Sequence, residues 1–255
     1  VKIGIVVTFS NEIAYTKQCI QSLICHSPFE LILIDDFSID GTKEWLATLD
    51  NHINGALGVH KIIDADTDSL GAKWNLGMEK AKELGCEAGL VCNNDLLFAP
   101  NTIDAIINRF NLTKETNDGV VLISASNQRG TIKPEEILTY IPTGEPSESE
   151  GPDFSCFLFD IQAWEKIGKF TTAFKPCYFE DNWTHTMLKA HNLKAIAISQ
   201  APYYHYGSIT QNSVVGGLCK SPQFEKNRAI FVQMFGAEPD KVDLQEVRRR
   251  LKLSL

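Results

Sequence analysis

Three apolar runs in the first hundred residues each end abruptly in a polar cluster. VKIGIVVT (1–8) runs into Ser10, Asn11 and Glu12. LILI (31–34) stops at Asp35 and Asp36, and AGLVC (88–92) gives way to Asn93, Asn94 and Asp95 before an apolar run resumes. Short unbroken apolar runs of this kind read as strands buried on both faces. Helices are predicted over about 12–25, where Ile13, Thr16, Ile20 and Leu23–Ile24 form one stripe behind Ser10 or Asn11 as cap, over Thr42–Leu49 behind Asp40, and over about Ala72–Leu84. Val59–Ile63 reads as another strand, Pro100–Asn101 opens a helix to about Phe110, and Val120–Ser124 is a fifth strand. Alternating strands and helices with short connections build a parallel α/β sheet. Right-handed crossovers bring the three polar clusters to one edge, the edge at which open sheets bind ligands. A carboxylate there can hold a hard divalent cation, which in turn holds phosphate. The plainer alternative is an Asn-Asn-Asp turn that only ends a strand.

The pattern changes after about residue 125. Residues 126–153 are rich in Pro, Glu, Ser and Gly and are expected as a long loop or lid. Beyond them, Ser155–Phe159 reads as a strand, Ile161–Ile167 as a short helix, and Pro176–Phe179 as an extended entry to a helix near Asp181–His191. Lys194–Ser199 and Tyr203–Tyr206 read as two strands, followed by helices over about Ser221–Phe235 and Pro239–Leu253. The last is amphipathic, with Val242, Val247 and Leu251 opposite Arg248–Arg250, and is expected to pack rather than lie on a membrane.

The formal charge of −8 argues against a nucleic-acid partner, which needs a positive field. Seven cysteines, an odd number without CxxC spacing, read as reduced core residues of a cytoplasmic protein. No apolar stretch is long enough for a bilayer span, and residues 1–10 read as a strand rather than a signal peptide, so membrane contact is expected to be peripheral at most.

In LILIDDFSIDGTKEWL, Asp36 stands at a strand end, ahead of Ser38 and a helix opened by Asp40 and Gly41. A carboxylate held there can accept the N–H of a uracil or guanine edge. With VVTFSNE before this element and SLGAKWNLGMEKA and LVCNNDLLFAP after it, the chain resembles the family 2 glycosyltransferases of GT-A fold. The resemblance continues through SCFLFDIQAWEKIGKFTTAFKPCYFEDNWTHTMLKAHNL, PYYHYGSIT and FEKNRAIFVQMFG, which are similar to the subgroup carrying Asn-Asn-Asp, including rhamnosyl transferases.

That resemblance implies a GT-A (Rossmann-like), mostly parallel sheet flanked by helices. It divides the chain into a glycosyltransferase domain at 1–236, with a nucleotide-sugar half at 1–125 and an acceptor half at 126–236, and a terminal helix at 237–255. It implies that Thr8, Asn11, Glu12 and Asp36 meet the nucleotide, and that Gly71, Lys73 and Asn75 face nucleotide and sugar. Asn94 is left to donor-sugar hydroxyls or metal. Asp95 is implied as a ligand of Mn²⁺ or Mg²⁺ with His205, from the late His-x-x-Ser element, as its partner; an imidazole ligand favours Mn²⁺. Asp181 is implied as the general base, with Glu180 holding an acceptor hydroxyl or orienting it, and Trp183 as an apolar wall for a sugar face. The activity so implied is inverting, metal-dependent transfer from a nucleotide-diphospho-sugar, UDP- or dTDP-linked, to a glycan or glycolipid hydroxyl during polysaccharide synthesis. The competing reading is a degenerate member that binds sugar nucleotide or glycan without catalysis, suggested by the neutral Asn93–Asn94 pair. Glu180, Asp181 and His205 count against it, because a binding module needs no base.

Overall fold

The computed structural model describes residues 1–50, 53–207 and 222–253. One nine-stranded sheet runs through the chain in the order β3-β2-β1-β4-β8-β6-β9-β5, with β7 paired to β9. The strands are β1 (Ile3–Phe9), β2 (Phe29–Asp35), β3 (Gly58–Ile62), β4 (Ala88–Asn93), β5 (Leu96–Phe98), β6 (Val120–Asn127), β7 (Glu148–Ser149), β8 (Cys156–Asp160) and β9 (Lys194–His205). β3, β2, β1 and β4 are parallel neighbours, as are β6 and β9, whereas β8, β5 and β7 pair antiparallel.

Alternation along the central strands decides which helix covers which face. Ile3, Ile5, Val7 and Phe9 of β1 point into the same apolar layer as α1 (Ile13–Ser22) and α4 (Thr102–Thr116), through Cys19, Ile20, Ile103, Ile106 and Phe110. Val6 and Ile34 point the other way, against Trp74 and Met78 of α3 (Leu70–Glu83), Trp164 of α6 (Ile161–Lys166) and Leu188 of α7 (Glu180–Ala190). The helix α3 lies so close to β1 that a Cβ at Gly77 would overlap the Val6 side chain. A third, smaller cluster joins Phe174 and Phe179 to Phe231 of α8 (Pro222–Phe235).

The parallel alternation is as the sequence predicts, and four local readings are corrected. Neither Ser10 nor Asn11 caps α1: both Asn11 and Glu12 adopt left-handed φ (59° and 61°), and the helix takes its cap from outside, Ile13 N–H donating to Asp40 Oδ2 at 2.8 Å. The same carboxylate accepts Thr42 N–H and Oγ1–H on Oδ1, so Asp40 serves α1 and α2 (Thr42–Thr48) together. The two strands expected over 194–206 are one, β9, with a register slip where Ser124↔Ala197 gives way to Ser126↔Pro202. Segment 126–153 is no structureless lid: α5 (Pro134–Ile137) buries Ile137 completely, and β7 ties Glu148 and Ser149 to β9.

The last correction is at the C-terminus, where the helix is broken. A 3₁₀ turn at Pro239–Lys241 precedes α9 (Leu244–Leu251), which starts afresh because Asp243 caps Gln245 and Glu246 N–H. Val247 is buried while Leu251 is exposed, and Arg248 donates to Lys189 O and Ala190 O at the C-terminus of α7, so α9 packs on that helix as expected. No disulfide joins cysteines among the described residues; Cys219 lies outside them. No helix among the described residues is long and apolar enough to cross a membrane.

Candidate active site

The strand register brings the polar clusters to one rim. Thr8 is level with Ile34 on one side and Asn93 on the other, and Phe9 is level with Asp35. Because β6 and β9 run in the same direction as β4, their ends at Asn127 and His205 reach this rim too. Loops at strand ends are free of ladder bonds, so the rim is where side chains can turn to a ligand.

On the β1–β2 side the loops are stitched to each other. Asp36 N–H donates to Phe9 O (2.9 Å), Ser10 Oγ–H donates to Asp36 O (2.9 Å), and Asn11 N–H donates to Ser38 Oγ (2.6 Å) while its own Oδ1 accepts Ile39 N–H (2.8 Å). Asn11 and Ser10 therefore shape the loop that presents Asp36, and Thr8 lies buried behind it. Asp36 and Lys73 are brought together as an ion pair, each side chain less than one fifth exposed. Beneath them, Asp40 holds its twofold cap. Burial works against its charge, yet the bonds from Thr42 Oγ1 and from Ile13 and Thr42 N–H outweigh that and keep its carboxyl below the usual range.

Two other residues assigned to this face do different work. The Asn75 carboxamide is spent on the loop of α6: Nδ2 donates to Phe170 O, and Oδ1 accepts Phe170 N–H and Trp164 Nε1–H. A Cβ at Gly71 would collide with Thr171 O, so this glycine permits a close backbone approach.

On the β4 side, Asp95 and His205 meet across the β5–β9 pair, where Leu96 stands opposite His205. Asp95 Oδ1 lies 3.1 Å from His205 Nε2. The contact does not meet the geometry of a hydrogen bond, and buried Nε2 makes none among the described residues. Two ligands held at right angles about 2.1 Å from an octahedral ion would themselves stand about 3 Å apart. The pair thus has the spacing of two neighbouring ligands of one ion. Among the described residues no group of three His, Cys, Asp or Glu side chains gathers for a metal. Asn127 steadies this corner, Oδ1 accepting both His205 N–H (3.3 Å) and Arg129 N–H (3.0 Å). The Asn94 side chain is turned inward: it is 4 % exposed and donates to Thr16 Oγ1 (3.0 Å). Ser208 of the His-x-x-Ser element lies outside the described residues.

The third side is the start of α7. The sequence suggests an extended entry; the structure instead has two consecutive left-handed residues, Tyr178 (φ 82°) and Phe179 (φ 79°), a conformation disfavoured for bulky side chains. They leave Glu180 buried and Asp181 exposed. Glu180 Oε1 has no hydrogen-bond partner among the described residues, and burial above all, with the neighbouring Asp181 charge adding to it, pushes its carboxyl up to about 8. One turn on, His185 packs its ring on Phe154 with centroids 5.3 Å apart. Phe154 in turn touches Trp74 of α3, while Leu70 N–H, at the start of α3, donates to Pro176 O. These contacts join the carboxyl pair to the rim that holds Asp36 and Lys73. Trp183 packs partly buried between the α7 and α8 clusters.

Sequence reasoning passed over Asn127, which could have been found as another Asn closing a strand, like Asn93. Asn227 lies in FEKNRAIFVQMFG, a stretch covered by the resemblance, but its place mid-helix in α8 gives no local signal of what it bonds.

No curated protein matches the chain. Among solved structures it is similar to GalNAc-T7 with UDP, GalNAc and Mn²⁺ (TM-score 0.68, 16% identity, covering 97% of this chain and 53% of that one). It is also similar to S. aureus TarS in complex with UDP-GlcNAc (0.61, 16%, 96% and 69%) and to the mannosyltransferase PcManGT from Pyrobaculum calidifontis with GDP-Man and Mn²⁺ (0.54, 15%, 80% and 56%). The chain spans about half the length of the GalNAc-T7 structure. At such identities these likenesses concern the fold, which is the GT-A fold. The sequence profile of glycosyl transferase family 2 matches residues 4–163, well over half of the 255. The mostly parallel sheet, its polar rim and that match agree: the chain belongs to glycosyl transferase family 2.

Proposed function

We propose that the chain is an inverting, divalent-metal-dependent glycosyltransferase that moves a sugar from a nucleotide-diphospho-sugar, UDP- or dTDP-linked, to a hydroxyl of a glycan or glycolipid. The observation that carries this reading is the carboxyl pair at α7. Glu180 is buried and kept neutral up to about pH 8, while Asp181 stands exposed beside it at the helix N-terminus. A buried carboxyl without a partner on Oε1 is costly to retain, which favours catalysis over the binding-only reading. Two carboxyls in unlike surroundings are suited to unlike roles.

In this reading Asp181 takes the proton of the acceptor hydroxyl as its oxygen attacks the anomeric carbon. The bond from that carbon to the diphosphate oxygen breaks, and the nucleoside diphosphate leaves from the opposite face with the electron pair. Glu180, protonated, donates to an acceptor oxygen and helps to orient Asp181. Asp36 accepts an N–H of the base, Thr8 and the Asn11–Glu12 turn border the nucleotide, and Lys73 is the nearby cation for the diphosphate. Asp95 and His205 would hold the divalent ion, with Mn²⁺ favoured by the imidazole; when bound it supplies positive charge to the leaving diphosphate. Support comes from His205 Nε2, which makes no hydrogen bond among the described residues, from its 3.1 Å approach to Asp95, and from Mn²⁺ in the GalNAc-T7 and PcManGT structures. Asn94, with its amide on Thr16, orders the turn that presents Asp95. A cytoplasmic setting belongs to the same reading and is supported by the buried thiols of Cys19, Cys92 and Cys156.

The test is a thermal-shift and transfer screen of nucleotides and sugar nucleotides with Mn²⁺ and Mg²⁺. Metal-dependent stabilisation by one nucleoside diphosphate, and transfer or slow hydrolysis of its sugar conjugate, are expected. Binding of a sugar nucleotide without turnover under any metal would instead establish the binding-only member.

A further inference from the structure

We propose that Asn227 is a positioning residue for the reaction: its carboxamide clamps the backbone strap 175–179 and thereby fixes where Glu180 and Asp181 stand. The proposal rests on the reading of Asp181 as base.

Asn227 lies in the middle of α8 and has no exposed surface. All four of its hydrogen-bonding positions are used. Oδ1 accepts Lys175 N–H (3.3 Å) and Gln223 Nε2–H (3.2 Å), while Nδ2 donates to Lys175 O (3.2 Å) and Cys177 O (2.8 Å). Three of these bonds go to the main chain of a segment that belongs to no helix or strand. A side chain thus stands in for the neighbouring strand that a strap of this kind lacks.

The same face of α8 holds the aromatic side chains of the strap. Phe224 and Phe231 sit one turn to either side of Asn227, and both pack on Phe179, with ring centroids 5.1 and 5.9 Å away; Phe224 also meets Tyr178 at 5.5 Å. One helix face therefore holds the backbone at Lys175 and Cys177 and the rings of the two residues with left-handed φ that follow. Such conformations persist only where their surroundings over-determine them, and here they lead directly into α7. Phe179 is the N-cap residue of α7 and supplies no side-chain cap, so the path of the strap bears on the angle at which Glu180 and Asp181 begin. At its other contact the strap accepts Leu70 N–H on Pro176 O, which ties it to the helix whose Lys73 pairs with Asp36. The clamp thus sets the carboxyl pair relative to the donor rim, where displacement by about 1 Å can cost about 100-fold in rate.

The experiment compares Asn227→Leu and Asn227→Asp with the parent chain. It measures kcat, donor KM, Kd for the nucleoside diphosphate, the thermal midpoint, and amide exchange at residues 177–181. Asn227→Leu keeps the size and removes every bond; kcat should fall about 10- to 100-fold, with KM and Kd within twofold and faster exchange confined to the strap. Asn227→Asp can donate one hydrogen to Cys177 O only when protonated, so its activity relative to the parent should recover as pH falls. Unchanged kcat with faster strap exchange would overturn the positioning role. So would a flat relative pH profile for Asn227→Asp, or parallel losses of kcat, nucleotide binding and folding in both variants. If the parent chain neither binds nor turns over any donor, it is the assignment of the site that fails. Strap exchange then judges the clamp alone, and exchange unchanged in Asn227→Leu overturns it.

Discussion

Glu180 gives a prediction that is independent of any substrate. Its carboxyl is raised from an ordinary 4.5 to about 8, first by burial and then by the Asp181 charge. The sign follows from which state holds the proton. Below about pH 4.5 the folded and unfolded chains both carry it. Between 4.5 and 8 the unfolded chain has released it and the folded chain has not, so stability falls as pH rises, by about 1.4 kcal/mol per unit. Summed over that window the loss is about 5 kcal/mol, complete above pH 8. Glu180→Gln removes the titration and nearly keeps the shape. Its difference from the parent should be within about 1 kcal/mol at pH 4, the scale of one altered hydrogen bond, and should grow to several kcal/mol in favour of the variant at pH 8.5. For a chain of this size that corresponds to about 10 °C in Tm. Urea unfolding of both proteins from pH 4 to 9, followed by tryptophan fluorescence, isolates the effect, because slopes from the other carboxylates cancel in the difference. Parallel curves across the range would refute the burial argument.

Asp181→Asn should lower transfer by about 10²- to 10⁴-fold, the usual weight of a general base, with nucleoside diphosphate Kd unchanged by calorimetry; retained activity would remove Asp181 from the role. Asp95→Ala should abolish the part of nucleotide affinity that depends on Mn²⁺, and equal affinity with and without Mn²⁺ in the parent would dismiss the Asp95–His205 site. Asp40→Ala removes the cap of two helices at once and should cost about 2–3 kcal/mol at pH 7 in urea melts. Since its carboxyl is held below the usual range, that contribution is present above the ordinary carboxylate range and fades as pH falls through it, so parent and variant should converge in acid. Gly71→Ala should destabilise by about 1–3 kcal/mol through overlap with Thr171 O while leaving nucleotide affinity of the folded fraction intact, as overpacking does; selective loss of affinity would return Gly71 to the ligand.

The first half of the fold is legible because its signals are local. Runs such as LILI stop at charged residues, helices follow at regular spacing, and handedness does the rest. The second half is not, because its structure is set by partners distant in sequence. β9 reads as two strands since the residues around its register slip break the apolar pattern, yet its pairing with β6 continues past the slip. Segment 126–153 reads as loop because a four-residue helix and a two-residue strand are too short to show a period. What orders them is burial of Ile137 and pairing with β9, neither of which is written in the segment.

The site divides along the same line. Some pairings among the residues singled out for their own chemistry are seen in the structure: Asp36 meets Lys73, Asp95 meets His205, and Glu180 is buried beside exposed Asp181. The bonds by which a residue holds another loop are not legible, because a carboxamide or carboxylate advertises its type and not its partner. Asn75 bonds Phe170; Asp40 reads as the cap of one helix and serves two; Asn227, read only as part of a stretch that resembles the family, grips the strap before Glu180. In each case the polar group is spent on backbone that no regular ladder satisfies, and buried backbone must be satisfied somewhere. A rim built from strand-end loops has many such groups. Polar residues near it are therefore divided between those that meet the substrate and those that replace the missing ladder, and only the fold tells them apart.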